Sequence, residues 1–343
     1  MASEAPPFWW EKPDWRALAL SPLSLAYAAI ARRQLKRARR EKVAAPVLCV
    51  GNFTVGGSGK TPVAIALVEQ AKRMGLQPGI LSRGHGGSFS AEPHVVDEKH
   101  DAAKHVGDEP LLLAEHAPVA VSRNRAAGAA LLIERHGCDF LVMDDGFQSA
   151  RIHMDHALMV VDARYGLGNG RVIPGGPLRA RIADQLLYAD AILKMGEGTA
   201  ADVLVRRAAR AGKPVFEARV RPRDAAAFAG RRFLAFAGIG HPDKFFDSVG
   251  QAGGTVVVRR PFPDHHVYAP DELADLAGAA RKAGLALVTT AKDAARLRHG
   301  AVPAGFADML DVLEIETVFD PEHAPQRIVE ETLAAWRRRK LER

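Results

Sequence analysis

The chain has 343 residues, 48% of them hydrophobic, two cysteines and a net charge of +7. That composition allows one large or two modest domains with a substantial core, and it excludes both a disulfide-stapled scaffold and a disordered chain. Residues 32–42 carry six of the seven net positive charges, so the rest of the chain is close to neutral.

The first elements lie within residues 1–42, read as an amphipathic and basic membrane-association segment. Trp9, Trp10 and Trp15 precede a largely apolar run at 17–31, and the basic cluster follows it. Ser21, Pro22 and Ser24 interrupt that run, which is too short for a membrane span. Its charge follows the apolar stretch, the reverse of a secretory signal. Aromatics, apolar helix and basic cluster in that order fit a monotopic anchor on an anionic membrane surface. Two other readings compete: packing of the helix on the protein's own core, and nucleic-acid binding. No helix-turn-helix, zinc-ligand spacing or aromatic RNA-binding signature supports the latter.

An apolar strand at 47–50 then leads into Thr54-Val55-Gly56-Gly57-Ser58-Gly59-Lys60-Thr61 and a helical pattern carrying Val63, Ile65, Ala66, Leu67 and Ala71. Glycines let successive backbone N–H groups turn toward phosphate oxygens, and the helix N-terminus adds partial positive charge. Lys60 reaches the outer phosphates, and the Thr61 hydroxyl suits Mg²⁺. Thr54 stands where the general pattern wants glycine. Pro62 falls in the first helical turn, where a missing N–H costs little.

Further short apolar runs at 79–81, 118–121, 140–143, 158–161 and 191–193 alternate with helical patterns such as 126–135, indicating a parallel α/β sheet over 43–220. Arg83, among the glycines of residues 84–87, offers a planar charged fork for phosphate, as do Arg125 and Arg179. Asp108 reads on its own as a helix N-cap. The strand at 140–143 delivers Asp144 and Asp145, as a Walker B element does for Mg²⁺, and Gln148 follows within reach of the site. The Gly/Pro/Arg loop at 168–179 stands where ligand contacts are common. Residues 219–232 read as a connection to a smaller α/β unit over 221–320, with strands at 233–237, 255–258 and 286–290 and helices at 243–251 and 271–283. Within it, Asp264-His265-His266 suggests one histidine working with a carboxylate, since sequence neighbours rarely face one ion. Residues 321–343 read as a C-terminal helix, with packing back on the core as one option. Cys49 and Cys138 read as small core residues of a reducing compartment.

These segments, taken in order from Gly51-Asn52 through the phosphate loop, Leu81-Ser82-Arg83-Gly84-His85-Gly86-Gly87, Gly107-Asp108-Glu109-Pro110 and Asp144-Asp145-Gly146-Phe147-Gln148, carry a family resemblance. It continues through Gly168-Asn169-Gly170-Arg171, Pro174-Gly175-Gly176-Pro177-Leu178-Arg179, residues 235–240, Phe262-Pro263-Asp264-His265-His266 and residues 289–293. The chain resembles the tetraacyldisaccharide 4'-kinases, the lipid A 4'-kinases of Gram-negative bacteria, over nearly its whole length. Thr54 belongs to that family's own loop. The resemblance implies a P-loop NTPase-like fold, ATP and Mg²⁺, and a lipid A disaccharide 1-phosphate acceptor converted to lipid IVA. It also implies a place on the cytoplasmic face of the inner membrane. It makes Asp108 and His265 a catalytic dyad and gives Asp144 and Asp145 to the metal. Ala180 departs from the family, whose members often carry glutamate there, which leaves an acidic contribution from that position in doubt.

The alternative is a membrane-associated regulatory ATPase of the partitioning or site-selection type, whose loop carries an additional lysine where this chain has Val55. A GTPase lacks support because no Asn-Lys-x-Asp segment is present. A nucleic-acid-dependent NTPase would use the basic cluster on phosphates. The sequence carries no signal for oligomeric state.

Overall fold

The computed structural model describes residues 5–84, 87–89, 92–149, 151–298 and 300–342. His85 and Gly86 of the glycine-rich loop therefore lie outside the described residues.

The described residues form thirteen strands: β1 (Val47–Asn52), β2 (Pro78–Ser82), β3 (His94–Val95), β4 (Val119–Val121), β5 (Phe140–Asp144), β6 (His156–Asp162), β7 (Ala191–Met195), β8 (Val215–Pro222), β9 (Arg232–Ala237), β10 (Thr255–Pro261), β11 (Ala286–Thr290), β12 (Leu310–Leu313) and β13 (Ile315–Asp320). Nine make one sheet in the order β13-β8-β7-β6-β1-β5-β2-β4-β3, and four make a second in the order β10-β9-β11-β12. The second sheet is parallel throughout; in the first only the outer pairs β13–β8 and β3–β4 run antiparallel.

β1, β2, β5 and β6 are buried along their whole length, because helices cover both faces. One face packs against helix Lys60–Arg73 through Val63, Leu67 and Val68, and against the C-terminal helix Ala324–Leu341 through Ile328 and Val329. Arg339 of that helix donates to both oxygens of the buried Asp155, at 2.7 and 3.2 Å, and Asp155 accepts from the Val47 N–H at the start of β1. The other face takes Ala28 and Leu35 of helix Ser21–Arg37, together with the helices Arg125–His136 and Ile182–Tyr188. Cys49 and Cys138 are buried and free.

Two boundaries differ from the sequence reading. β8 extends into the stretch read as a connection, and β13, inside the 221–320 span of the smaller unit, pairs with β8 in the large sheet. Both strands carry charges on an alternating pattern, such as Glu217, Arg219 and Arg221, which masks them from an apolar-run criterion. The second sheet itself covers 232–313. β8 and β13 thus form the antiparallel pair through which the chain leaves the large sheet and returns to it.

Strand β1 lies between β5 and β6 while the chain runs on to β2, so its carboxyl end sits where the connections diverge. Open α/β sheets leave a crevice at such a point.

Candidate active site

The phosphate loop follows β1 at that crevice. Gly59 is the N-cap of helix Lys60–Arg73 and has φ +82°, a conformation that a side chain would strain. The Asn52 amide donates to the Gly56 carbonyl at 3.3 Å, tying the strand end to the curl of the loop. The buried Ser58 hydroxyl has no hydrogen-bond partner among the described residues, an uncommon state for a buried polar group unless something else completes it.

Behind the loop, β5 delivers the two acids to different surroundings. Asp145 adopts φ +49° and accepts from both Arg179 terminal nitrogens at 2.8 and 2.9 Å, while Lys60 Nζ lies 3.7 Å away. Burial would raise its pKa, but the charges of Lys60 and Arg179 win and hold it below the usual carboxylate value. Asp144 has no such cation pair. Burial, reinforced by the charge of Glu109, pushes its pKa up to about 7, and its buried Oδ1 has no hydrogen-bond partner among the described residues. Arg179 also donates to Gln148 Oε1 at 3.2 Å and, through Nε, to the Thr54 carbonyl at 3.1 Å. Arg125 is buried and donates to the Ser122 carbonyl. Burial, and then the neighbouring charge of Arg83, lowers its pKa to about 10. Arg83 is exposed on the same cleft.

The loop at 168–179 serves mainly as a brace. Asn169 donates to the Phe8 and Gly175 carbonyls at 3.2 and 2.9 Å, the Trp9 indole donates to the Pro174 carbonyl, and Arg171 donates to the Ser21 hydroxyl. The same loop reaches the phosphate loop, where the Pro177 carbonyl accepts from the Val55 N–H at 2.9 Å. The N-terminal segment is therefore hydrogen-bonded to the phosphate loop through a shared brace. Ala180 turns inward and joins the apolar cluster with Phe53 and Leu178.

Opposite this loop, Asp108 opens helix Asp108–Ala114. The N-cap is Gly107, not Asp108, whose side chain is turned across the cleft between the two sheets. His265 Nδ1 lies 3.0 and 3.2 Å from the Asp108 oxygens. His265 sits at φ +60°; it and Asp145 are the two non-glycine residues with positive φ among the described residues, and both are candidate site residues. The hydrogen bond to Asp108 raises the His265 pKa against the effect of burial. Burial pushes the Asp108 carboxyl up, but His265, Lys292 and Arg296 outweigh it and hold the carboxyl far below the usual range.

Lys292 and Arg296, on helix Ala291–Leu297 after β11, escaped the sequence reading as site residues. Lys292 Nζ lies 3.2 Å from Glu109, 3.8 Å from Asp108 and 3.9 Å from Asp264. Arg296 Nε is 3.0 Å from Asp108 Oδ2. Arg296 is anchored by the Gly238 carbonyl and by the fully buried Asp293, which also takes the Tyr268 and Thr290 hydroxyls. The available signal was the pair of cations at i and i+4 directly after an apolar strand. His266, by contrast, bonds Glu272 at 2.9 Å and is structural.

One cleft of about 1890 Å³ joins these parts. It is lined by residues 55–61 on one side and by His265, Asp264 and Lys292 on the other, with Asp144, Asp145, Gln148, Arg83, Arg125 and Arg179 between. Asp108 lies behind His265. Trp10, Tyr165, His241 and Lys244 line the cleft as well: Tyr165 stacks on His241 at 4.7 Å, and Lys244 pairs with Asp162 across the two sheets.

The family model for Tetraacyldisaccharide-1-P 4'-kinase matches residues 16–333. Tetraacyldisaccharide 4'-kinase of Mesorhizobium japonicum is 75% identical over 341 residues, 99% of each chain. The enzyme of that name from Chelativorans sp. is 54% identical over 100% of this chain and 99% of its own length. A crystal structure of LpxK from Aquifex aeolicus in complex with ATP superposes with a TM-score of 0.72, covering 92% of this chain and 99% of that one. At 24% identity that likeness is one of fold. By the family-model match over most of its length and by its identity to these enzymes, this chain belongs to the tetraacyldisaccharide-1-P 4'-kinase family.

Proposed function

We propose that the chain transfers the γ-phosphoryl group of ATP to the 4'-hydroxyl of tetraacyldisaccharide 1-phosphate, giving lipid IVA, at the cytoplasmic face of the inner membrane. The observation that carries this reading is His265, backed by Asp108, facing the same cleft as Lys60. With Asp108 accepting from Nδ1–H, the other imidazole nitrogen takes the proton of the attacking hydroxyl. The new bond forms between that oxygen and the γ-phosphorus, and the bond to the β-phosphate oxygen breaks, leaving ADP. Lys60 and the loop N–H groups hold the charge on the transferring group. Arg125, Arg83 and Arg179 are proposed phosphate contacts, with Gln148 beside Arg179.

The residues present fit Mg²⁺. Thr61 and the buried Asp144 oxygen, unpartnered among the described residues, would supply two oxygen donors to such an ion. Asp145, already engaged by Arg179 and Lys60, is assigned to positioning those cations. Mg²⁺ would neutralise charge on the phosphate oxygens when bound.

The N-terminal helices support peripheral attachment. Among the described residues no helix is long and apolar enough to cross a membrane. Helix Ser21–Arg37 buries Ser24, Ala28 and Leu35 and leaves Leu23, Leu25 and Ile30 about 60% exposed, near the exposed Trp15 and Leu18. Self-packing and membrane contact thus use different faces. Changing Leu23, Leu25 and Ile30 together to serine is expected to weaken sedimentation with anionic vesicles while leaving the chain folded; unchanged sedimentation would move the contact elsewhere. Deleting residues 1–42 is a poorer test, because it also removes the brace on the phosphate loop.

The reaction is tested by incubation with ATP, Mg²⁺ and tetraacyldisaccharide 1-phosphate, followed by mass analysis of the lipid. One added phosphoryl group is expected. ATP consumption with unchanged lipid would support the regulatory ATPase instead.

A further inference from the structure

The basic end of helix Ser21–Arg37 builds a groove, distinct from the catalytic cleft. Ala28 and Ala29 form its floor, and its volume is about 390 Å³, enough for a phosphate ester. Arg32, Arg33, Lys36 and Arg37 line it from the helix. Arg181 lines it from the segment before helix Ile182–Tyr188, about 150 residues further along the chain. Among the described residues no carboxylate lines the groove. Asp184, beside it, pairs with Arg32 at 3.4 Å. Among the described residues Arg33, Lys36, Arg37 and Arg181 have no ion pair or side-chain hydrogen bond. Four uncompensated cations converging on one concavity repel each other, and an anion bearing several acceptor oxygens relieves that repulsion.

The surroundings narrow the class of anion. Leu25 lies one turn before the groove floor, and Ile30 lies beside it; both are exposed. At 1.5 Å rise per residue, Leu25 precedes Arg33 by roughly 12 Å along the helix axis. The helix therefore presents an acyl-compatible half and then a phosphate-compatible half, in the sequence a phospholipid presents at the bilayer boundary.

We propose that this groove is a discrete site for the phosphate of an anionic phospholipid headgroup, with Arg181 closing it against the helix. The proposal rests on the membrane-surface reading above and sharpens it from a diffuse basic face to a defined pocket.

The test is binding to phosphatidylcholine vesicles with and without phosphatidylglycerol. Each basic residue near an anionic surface is worth about fivefold in partitioning. Arg181→Gln is therefore expected to lose at least about that much affinity for the anionic vesicles. The decisive variant is Arg181→Gln with Gln34→Arg, which restores net charge on the exposed flank of the same helix. A discrete groove predicts that binding stays weakened, and recovery to the parent level would overturn it, leaving a diffuse membrane contact standing. If the parent protein shows no preference for anionic vesicles, the groove and the membrane-surface reading both fail. In neutral detergent micelles Arg181→Gln should leave the KM for tetraacyldisaccharide 1-phosphate unchanged. A raised KM there would give the groove to the substrate's own phosphate and overturn the headgroup assignment.

Discussion

The phosphate loop takes eight consecutive residues, 54–61, between one strand and one helix of the large sheet. The pair opposite it joins Asp108 of the large unit to His265, 157 positions further on in the small one. The first arrangement is set by local backbone geometry and persists however the two sheets move. The second exists only while β9 to β12 hold their place over the crevice, so it depends on Lys292, Arg296 and the Lys244–Asp162 contact between the units. Nucleotide holding and acceptor activation should therefore separate under mutation.

The largest effect is expected from Lys60→Ala. Losing the cation that faces the transferring group should lower kcat by about 10³-fold, and it should weaken ATP binding as well. Near-normal turnover would remove the loop from the chemistry. His265→Ala should lower kcat by about 10²-fold or more with ATP affinity unchanged in calorimetry. A matching loss of ATP affinity would erase the distinction between the two sides. Lys292→Met removes a cation that keeps Asp108 ionised, and should cost about tenfold in kcat, the size of one polar interaction. An effect on KM for ATP alone would place Lys292 on the donor side.

The pH dependence is the finest probe. In the proposed role His265 would act as a base only when neutral, and its pKa lies above its ordinary 6.5 because Asp108 accepts from it. Activity should fall as pH drops through that raised value. Asp108→Asn removes the cause, so the acidic limb of the residual activity should move to lower pH. A limb that stays in place would assign it to another group. The stability linkage has the opposite sense. Stability from protonated His265 is present below 6.5 and lost as pH rises through the raised value. Stability from the depressed Asp108 is present above 3.8 and lost as pH falls toward its native value.

The same contrast governs what the sequence disclosed. β1, β5 and the phosphate loop were legible because a strand buried on both faces reads as an unbroken apolar run, and the loop's chemistry is contiguous. β8 and β13 were not, because a partly exposed connecting pair alternates charge with apolar residues. Asp108 alone looked like a cap. Only the three-dimensional path shows that Gly107 fills that role and frees the carboxylate for His265. The support from Lys292 and Arg296 needed the helix after β11 to be placed first. The loop at 168–179 looked ligand-facing because glycine and proline loops often are, and its end, Arg179, does line the cleft. Asn169 instead spends both amide hydrogens on the N-terminal segment and on its own loop.

The central claim is that Asp108 and His265 act as one unit across the cleft. A double-mutant cycle on single-turnover phosphoryl transfer to tetraacyldisaccharide 1-phosphate tests it most directly. The account predicts that Asp108→Ala with His265→Ala is little slower than the worse single variant. Independent losses that multiply in the double variant would contradict it.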